Sequence, residues 1–371
     1  MAKQGNNIYK RKDGRFEGRY MIGRKPDNTP KFGYVYGRSY SEVKKNLLPL
    51  KLMYERPRNE SGFRGLFSDY ALGWLEITAR ENKIKPSTYG SYHRMIYNHI
   101  IPLLGSQFPH ILRKADIEHF ITALTEKELS NGTIANILRL LFAIIRTARE
   151  ENIIEFDIGK GVQIPKTKKK KISVLTRNAQ STLEKTCEQE KTGIVVMLAL
   201  YTGMRVGEIS ALKWADVDLN EGLIYVQKTA QRITRYNGKG TKTALNIESP
   251  KTESSERIIA LPQMMIAYLS KCKLDTASEY VVSCKGSVAE PRVCQYRFEN
   301  LLKKAGIQRI NFHTLRHTYA TRCMEEGMDL KTLSQLMGHS QASMTLKYGD
   351  SLTEHKKHAV KALDNVCIIA A

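Results

Sequence analysis

Apolar residues recur at helical spacing through most of the chain and alternate with polar residues only in short stretches. Residues 67–77 have the pattern of an amphipathic helix, and residues 134–152 carry a continuous apolar stripe. Near the N-terminus, Phe16, Gly18 and Tyr20 instead alternate with charged residues, which is typical of a half-buried strand. The pattern therefore predicts a multidomain chain that is mainly α-helical, with small β-sheets.

Residues 1–60 are predicted to form a three-stranded sheet with one helix. The Asp13-Gly14 pair indicates a turn between the first two strands, and a third strand is expected over 32–36. Ser41 is expected to cap a short helix that Pro49 interrupts.

This N-terminal segment is strongly basic, with 15 Lys and Arg residues against six Asp and Glu residues. A small sheet with a basic outer face could place its strands in a DNA groove. We therefore predict that the segment binds DNA and take Arg15 and Arg19 as candidate contacts. The alternative is a small solvated domain that is basic without binding DNA.

Residues 64–162 are predicted to form a bundle of four helices with short connections. The helical Tyr and Leu stripes are assigned to its core. The start of the second helix is predicted to contact DNA, because free backbone N–H groups there favour phosphate. The candidate contacts are Lys83, Lys85, Ser87, Thr88, Tyr92, His93 and Arg94.

Residues 163–174 are predicted to form a basic linker. Five lysines within six residues repel one another and keep the segment extended. Lys168, Lys169 and Lys170 are candidate phosphate contacts between two DNA-binding units. A solvated linker without contacts is the alternative.

Residues 175–350 are predicted to form a mixed α+β domain. A nearly all-apolar helix, expected over 193–201, would lie at its centre. Arg205 follows at the edge of the core, where a charge needs an anionic partner. A salt bridge with Glu208 would supply one, and so would a substrate phosphate with Glu208 orienting the guanidinium from behind.

Further elements are expected along this domain before residue 311. Strands are predicted near 222–227 and 257–262, and helices near 263–272 and 292–305. Lys251 lies at the end of a strand, before a turn, and from a hairpin tip it could move into a site. A tip lysine alone is weak evidence for function.

Residues 311–350 combine side chains that suit attack on a phosphodiester. His313 and Arg316 would share one face of a helix, and His339 lies in a Gly-His-Ser turn that follows about two helical turns of amphipathic sequence. Tyr348 follows in a polar segment. Guanidinium groups fork onto phosphate oxygens, imidazoles donate hydrogen bonds, and a phenolic oxygen can be a nucleophile.

Composition narrows the choice of binding partner and of cellular location. The 371 residues carry a net charge of +22, with a pI of about 9.6, which favours nucleic acid over an anionic membrane surface. No apolar run approaches the ~18–20 residues that span a bilayer, and the N-terminus lacks the apolar core of a signal peptide. The six cysteines include no C-x-x-C pair, so neither a zinc site nor a disulfide framework is indicated. We expect a cytoplasmic protein.

Four segments resemble the tyrosine recombinases, the phage integrase family. In chain order they are ALYTGMRVGEISAL, PKTESSER, HTLRHTYAT and LMGHS. The resemblance covers about residues 175–350 and extends more loosely to the helical bundle, which would be the core-binding domain. The basic N-terminal sheet resembles the arm-site-binding domain of integrases from phages and conjugative transposons.

The resemblance implies a role for each matched residue. Tyr348 would attack the scissile phosphate and form a 3′-phosphotyrosyl link. Arg205 and Arg316 would clamp the non-bridging oxygens, and His313 and His339 would donate hydrogen bonds, with His313 helping to move the tyrosine's proton. Lys251 would protonate the leaving 5′-oxygen, Glu208 would support the site, and no cofactor, ATP or metal would be needed.

The resemblance also implies partners. These are double-stranded DNA at the core and arm sites of a mobile element, and an excisionase or a host DNA-bending protein. The protein would act as a homo-tetramer on that DNA, near the nucleoid of a bacterial host cell. The amphipathic tail, residues 351–371, would dock on a neighbouring protomer, and packing on its own domain is the alternative. The sequence departs from the family pattern at Gly349-Asp350, after the nucleophile, and at Met337, where Leu is commoner.

The sequence argues against several alternatives. A DNA-binding regulator with the same fold would have lost some of the six predicted catalytic residues, and all six are present. A type IB topoisomerase would share the tyrosine chemistry but relax supercoils as a monomer, and the basic N-terminal domain and the tail argue against it. A metal-dependent transposase would need a cluster of Asp and Glu residues that the sequence does not supply. A chromosome-dimer resolvase would lack the extra N-terminal domain. Tyr319 is a rival nucleophile that is expected to be buried instead.

Overall fold

The computed structural model describes residues 7–24, 29–54, 63, 65–166, 172–236, 241–249, 256–339 and 345. It is mainly helical with small antiparallel sheets, as the apolar pattern predicts. The chain divides into two compact units, residues 1–169 and 170–371. None of the described helices is long and apolar enough to cross a membrane.

The N-terminal part of the first unit contains the predicted three-stranded sheet. Its strands are β1 (Ile8–Lys10), β2 (Phe16–Arg24) and β3 (Pro30–Gly37), antiparallel in that order. Gly18 is buried beneath the following helix, where a Cβ would come within 2.7 Å of Val43. The absence of a side chain at this position lets the helix approach the sheet.

Two expectations about this helix, α1 (Tyr40–Tyr54), were wrong. Its cap is Ser39, whose hydroxyl accepts the Glu42 N–H, and not Ser41. Pro49 lies inside the helix without ending it. An interior proline costs about 3 kcal/mol, but burial of a large aliphatic side chain contributes about 1.5–3 kcal/mol, and both Val43 and Leu47 are buried.

The rest of the first unit is the predicted helical bundle. A π-helical turn, Ile96–Ile100, joins its third helix to the next. Ser130 caps the longest helix by accepting the Thr133 N–H, and the apolar stripe of that helix is buried in the bundle core. The helices are α2 (Phe67–Arg80), α3 (Pro86–Met95), α4 (Ile101–Leu104), α5 (Lys114–Glu126) and α6 (Asn131–Glu150).

The second unit is built around one apolar helix, α8, as expected. All of its residues except Tyr201 are buried, and the other helices of the unit pack around it. The helices are α7 (Arg177–Glu188), α8 (Ile194–Thr202), α9 (Val206–Ala211), α10 (Gln263–Leu274), α11 (Pro291–Lys304), α12 (His313–Glu325) and α13 (Leu330–Met337).

The described strands of the second unit form three small sheets. The two predicted strands pair with each other, as β5 and β8 of a β4-β5-β8 sheet. The hairpin of β6 and β7 was not predicted, because its strands are rich in Thr, Arg and Lys and carry little apolar alternation. The strands are β4 (Val217–Asp218), β5 (Leu223–Val226), β6 (Thr229–Tyr236), β7 (Thr241–Glu248), β8 (Arg257–Ala260), β9 (Ser283–Cys284) and β10 (Ser287–Val288).

Candidate active site

The site begins where α8 ends. Gly203 ends this helix in the left-handed conformation, with φ of 62°, which glycine adopts without steric cost. The chain then enters α9, and Arg205 is its N-cap residue. This abrupt turn places the Arg205 guanidinium at the edge of the buried core, with the side chain 36% exposed.

Glu208 holds two arginines together. Its carboxylate, 3% exposed, accepts the Arg205 backbone N–H at 2.8 Å and the Arg205 Nη1 at 2.8 Å. Arg257, at the start of β8, adds a second guanidinium, with its Nη2 2.9 Å from Glu208 Oε2 and its Nη1 3.2 Å from Oε1. Burial would raise the pKa of the Glu208 carboxyl, but the bonds and charges of Arg257 and Arg205 hold it below its usual value.

Arg316 lies on α12, one helical turn after His313, as the spacing predicts. Only 2% of it is exposed, so a charge sits inside the domain. Its Nη1 donates to the Gly203 carbonyl and its Nη2 to the Met337 carbonyl. Arg316 thus links the end of α8 to the end of α13.

Three guanidinium groups meet at the C-terminus of α13. Arg257 donates to the Leu336 carbonyl at 2.6 Å, Arg316 to the Met337 carbonyl, and Arg205 to the Gly338 carbonyl at 3.2 Å. The last carbonyls of a helix lack partners within the helix and carry partial negative charge. The three arginines therefore stabilise the turn that presents His339.

His339 follows Gly338, which has φ of 58°, in the turn predicted from sequence. Its Nδ1 lies 2.9 Å from the hydroxyl of Thr345, a fully buried residue. Burial, together with the charges of Arg316 and Arg205, lowers the pKa of the His339 imidazole to about 4. The ring is therefore neutral at neutral pH and offers one N–H donor and one acceptor nitrogen.

His313 is the first residue of α12, and part of its side chain reaches solvent. The His317 ring packs edge-on against it, with centroids 4.5 Å apart. Loss of hydration, followed by the charges of His317, Arg316 and Arg205, lowers the pKa of the His313 imidazole to about 4. His313 is also neutral at neutral pH, so its ring can accept a proton.

The charges of these residues do not balance. Three guanidinium groups, those of Arg205, Arg257 and Arg316, face a single carboxylate, that of Glu208. Positive charge that is partly removed from water favours an anion that can enter the site. Arg205, the most exposed of the three, gives such an anion access.

Matches to protein-family models identify the family of this chain. The phage integrase family model matches residues 165–355, and the model of the phage integrase N-terminal SAM-like domain matches residues 66–125. The first match alone covers more than half of the chain. The chain belongs to the phage integrase family. It is a tyrosine recombinase, an enzyme that transfers DNA strands in site-specific recombination.

Relatives and solved structures agree with this membership. A XerC-like tyrosine recombinase of Caldanaerobacter subterraneus is 28% identical over 333 residues, covering 81% of this chain and 85% of the relative. The Tn1549 transposon integrase, in complex with a circular intermediate DNA, is 20% identical with a TM-score of 0.68 and covers 81% of this chain and 100% of its own. A lambda integrase tetramer bound to a Holliday junction is 18% identical with a TM-score of 0.59. The match covers 92% of this chain and 97% of the lambda integrase chain. At these identities the structural likeness establishes the fold.

The recombinase fold thus brings together four of the six predicted catalytic residues, Arg205, His313, Arg316 and His339, together with Glu208. Lys251 and Tyr348 lie outside the described residues, as do Lys168, Lys169, Lys170 and the tail, residues 351–371. Tyr319 packs in a small cluster with Met337, and burial raises the pKa of its phenol. That environment opposes the phenolate that a nucleophile needs.

The residues of the first unit that are predicted to contact DNA differ in exposure and in the side chains that they contact. Arg15 is exposed and paired with Asp13, Arg19 stacks on the Phe32 ring, and Lys83 is paired with Glu81. At the start of α3, Lys85 is the N-cap residue before Pro86, and Ser87 and Thr88 are half-buried in its first turn. Further along α3, Tyr92 stacks on Trp74, His93 stacks on Tyr97, and Arg94 is exposed.

Two residues of the site, Arg257 and Thr345, were not predicted from the sequence. Arg257 occurs in the quoted PKTESSER segment, but nothing in its spacing connects it to Glu208, which lies on another element. Thr345 is one hydroxyl residue among several near His339. The buried position of each side chain is the signal that identifies it, and this signal exists only in the folded protein.

Proposed function

We propose that this recombinase integrates and excises a mobile element by cutting and rejoining DNA through a 3′-phosphotyrosyl intermediate on Tyr348. The observation that carries the proposal is the convergence of three guanidinium groups and two neutral imidazoles around the end of α13. A phosphodiester supplies the anion that this charge favours. The Tn1549 integrase, which shares the fold, belongs to a transposon, which supports a mobile element as the substrate.

The proposed reaction is an exchange of phosphate esters. The Tyr348 oxygen attacks phosphorus and forms a P–O bond, and the bond from phosphorus to the 5′-oxygen breaks. The phenol proton passes to the neutral His313 imidazole, and Lys251 donates a proton to the leaving 5′-oxygen. Arg205, Arg316 and His339 stabilise the charge on the non-bridging oxygens. Rejoining is the reverse, so the ester energy is retained without ATP.

DNA binding is assigned to both parts of the first unit. On the N-terminal sheet, Tyr34 and Tyr36 are exposed, and Arg19 lies over the Phe32 ring at 4.3 Å. Aromatic and guanidinium groups on a small sheet suit contacts in a DNA groove. This sheet is proposed to bind arm sites, and the start of α3, with Lys85 and Arg94, is proposed to bind the core site.

The active assembly is proposed to be a homo-tetramer on DNA in the bacterial cytoplasm. The lambda integrase tetramer on a Holliday junction, which has the same fold, supports this assembly. Residues 351–371 would dock on a neighbouring protomer, so that cleavage requires assembly. An excisionase or a host DNA-bending protein would set the direction of the reaction.

The decisive experiment is a suicide-substrate assay. Wild-type protein and Tyr348→Phe are incubated in EDTA with nicked DNA from the element's ends and resolved on a denaturing protein gel. We expect a covalent DNA adduct with wild type alone and nearly unchanged DNA binding by the variant. An adduct that survives in Tyr348→Phe would assign the nucleophile to another residue, with Tyr319 tested first. Tight binding without any adduct would favour a DNA-binding regulator.

A further inference from the structure

Arg257 contacts two parts of the site but has no role in the reaction proposed above. Its guanidinium forks onto both oxygens of Glu208, and its Nε donates to the Leu336 carbonyl at 2.6 Å. Only 5% of the side chain is exposed. Arg257 therefore bonds at once to the carboxylate that orients Arg205 and to the helix end that presents His339.

We propose that Arg257 is a positioning residue for strand cleavage, acting on the phosphate through Arg205 and His339. This inference rests on the proposed function and assigns a role to a residue outside the expected catalytic set. Burial keeps Arg257 from meeting the phosphate itself. Arg205, whose side chain is 36% exposed, makes that contact, while Arg257 fixes the direction of its guanidinium.

The hydrogen-bond geometry supports this division of roles. The two Glu208 oxygens accept from both guanidinium groups, so rotation of the carboxylate is restrained from two sides. Without Arg257, Arg205 is the partner that Glu208 keeps among the described residues, and the carboxylate can turn with it. The Leu336 carbonyl also loses a donor, which loosens the turn before His339. Misplacement of about 1 Å in a catalytic group can cost 100-fold in rate.

Lysine cannot replace this arginine. A lysine keeps the charge, but a single ammonium on a flexible stem lacks the planar fork that reaches two carboxylate oxygens and a carbonyl together. Arg257→Lys thus separates orientation from charge. We expect it to bind DNA as wild type does and to form the covalent adduct about 10–100-fold more slowly in a single turnover.

The chain offers a matched control in Arg322. Its Nη1 contacts both carboxylate oxygens of a glutamate, Glu325, and its Nη2 donates to a backbone carbonyl, that of Leu175, at 2.7 Å. It lies on α12 two helical turns beyond Arg316, outside the site. Arg322→Lys should therefore lose a comparable network while cleaving DNA at the wild-type rate.

The test compares two suicide substrates, one with an ordinary scissile phosphate and one with an uncharged methylphosphonate there. If Arg257 acts through Arg205, the defect of Arg257→Lys shrinks on the neutral substrate, because less charge needs stabilising. A merely structural loss slows both substrates by the same factor. Urea unfolding of both lysine variants confirms that the proteins compared are folded.

The possible results separate the two proposals. Three results would each overturn this inference alone. Arg257→Lys could cleave at the wild-type rate, it could be slowed equally on both substrates, or Arg322→Lys could show the same defect. No adduct with wild-type protein on either substrate would overturn the proposed function, and this inference with it.

Discussion

At the scale of single residues, partial loss of hydration and nearby positive charge determine the protonation of the site. His313 and His339 have pKa values lowered to about 4, first by loss of water and then by nearby positive charge. Their neutral rings can move or donate protons beside the arginines, where imidazolium ions would add repulsion. A resemblance in sequence cannot supply this protonation state, because it depends on what surrounds each ring.

A pH dependence of stability follows from these two imidazoles. In the unfolded chain they gain protons near pH 6.5, whereas in the folded protein they resist protonation until about pH 4. The unfolded state therefore binds more protons between these values, and the free energy of unfolding should fall as pH falls from about 6.5 to about 4. Urea titrations of DNA-free protein across this window measure the slope.

The variants His313→Gln and His339→Gln identify the source of this slope. Each single variant should reduce the loss of unfolding free energy between about pH 6.5 and pH 4. The double variant should reduce this loss further. A slope unchanged in the double variant would show that other groups cause the acid sensitivity.

At the scale of secondary-structure elements, the ends of helices build the site. Gly203 ends α8 and its carbonyl accepts Arg316, while Gly338 ends α13 and its carbonyl accepts Arg205. The sequence predicted both helices and the Gly-His-Ser turn after the second. It could not show that the two ends meet, because that contact depends on how the helices pack.

The end of α8 provides a direct test of this packing. A Cβ at Gly203 would lie 2.4 Å from Cδ1 of the Tyr319 ring, and φ there is 62°. Gly203→Ala should therefore lower the free energy of unfolding by more than the roughly 1–2 kcal/mol of the left-handed backbone alone. It should also slow strand cleavage, because the carbonyl that accepts Arg316 shifts. Urea unfolding and the suicide-substrate assay measure the two effects.

Gly306 provides the matched control. It follows α11 with φ of 67°, and a Cβ there would meet no atom within 4 Å. Gly306→Ala should show the backbone cost alone and cleave DNA normally. Equal effects of the two substitutions would mean that contact with Tyr319 does not constrain this turn.

At the scale of the whole molecule, charge governs the encounter with DNA. A net charge of +22 predicts binding that weakens steeply with salt, by a slope of about −0.9 in log–log units for each phosphate neutralised. Arg94 is exposed on α3, in the predicted core-site contact. Arg94→Gln should therefore reduce the magnitude of the slope by about one, measured by fluorescence anisotropy from low to physiological salt.

Lys271 gives the comparison for this measurement. It is exposed on α10 and is not a predicted contact, so Lys271→Gln should leave the slope nearly unchanged. A reduction of the same size in both variants would show that net charge, and not a defined contact, sets the salt dependence.

The sequence by itself determined the family and the mainly helical architecture, and it predicted the four described residues that meet at the site. It did so because helical periodicity, turn residues and short motifs are local properties of a chain. Only the tertiary structure decided that Arg257 and Arg205 share Glu208, that Thr345 supports His339, and that both histidines stay neutral. These features depend on contacts between distant elements and on exclusion of water, and both of these arise only when the chain folds.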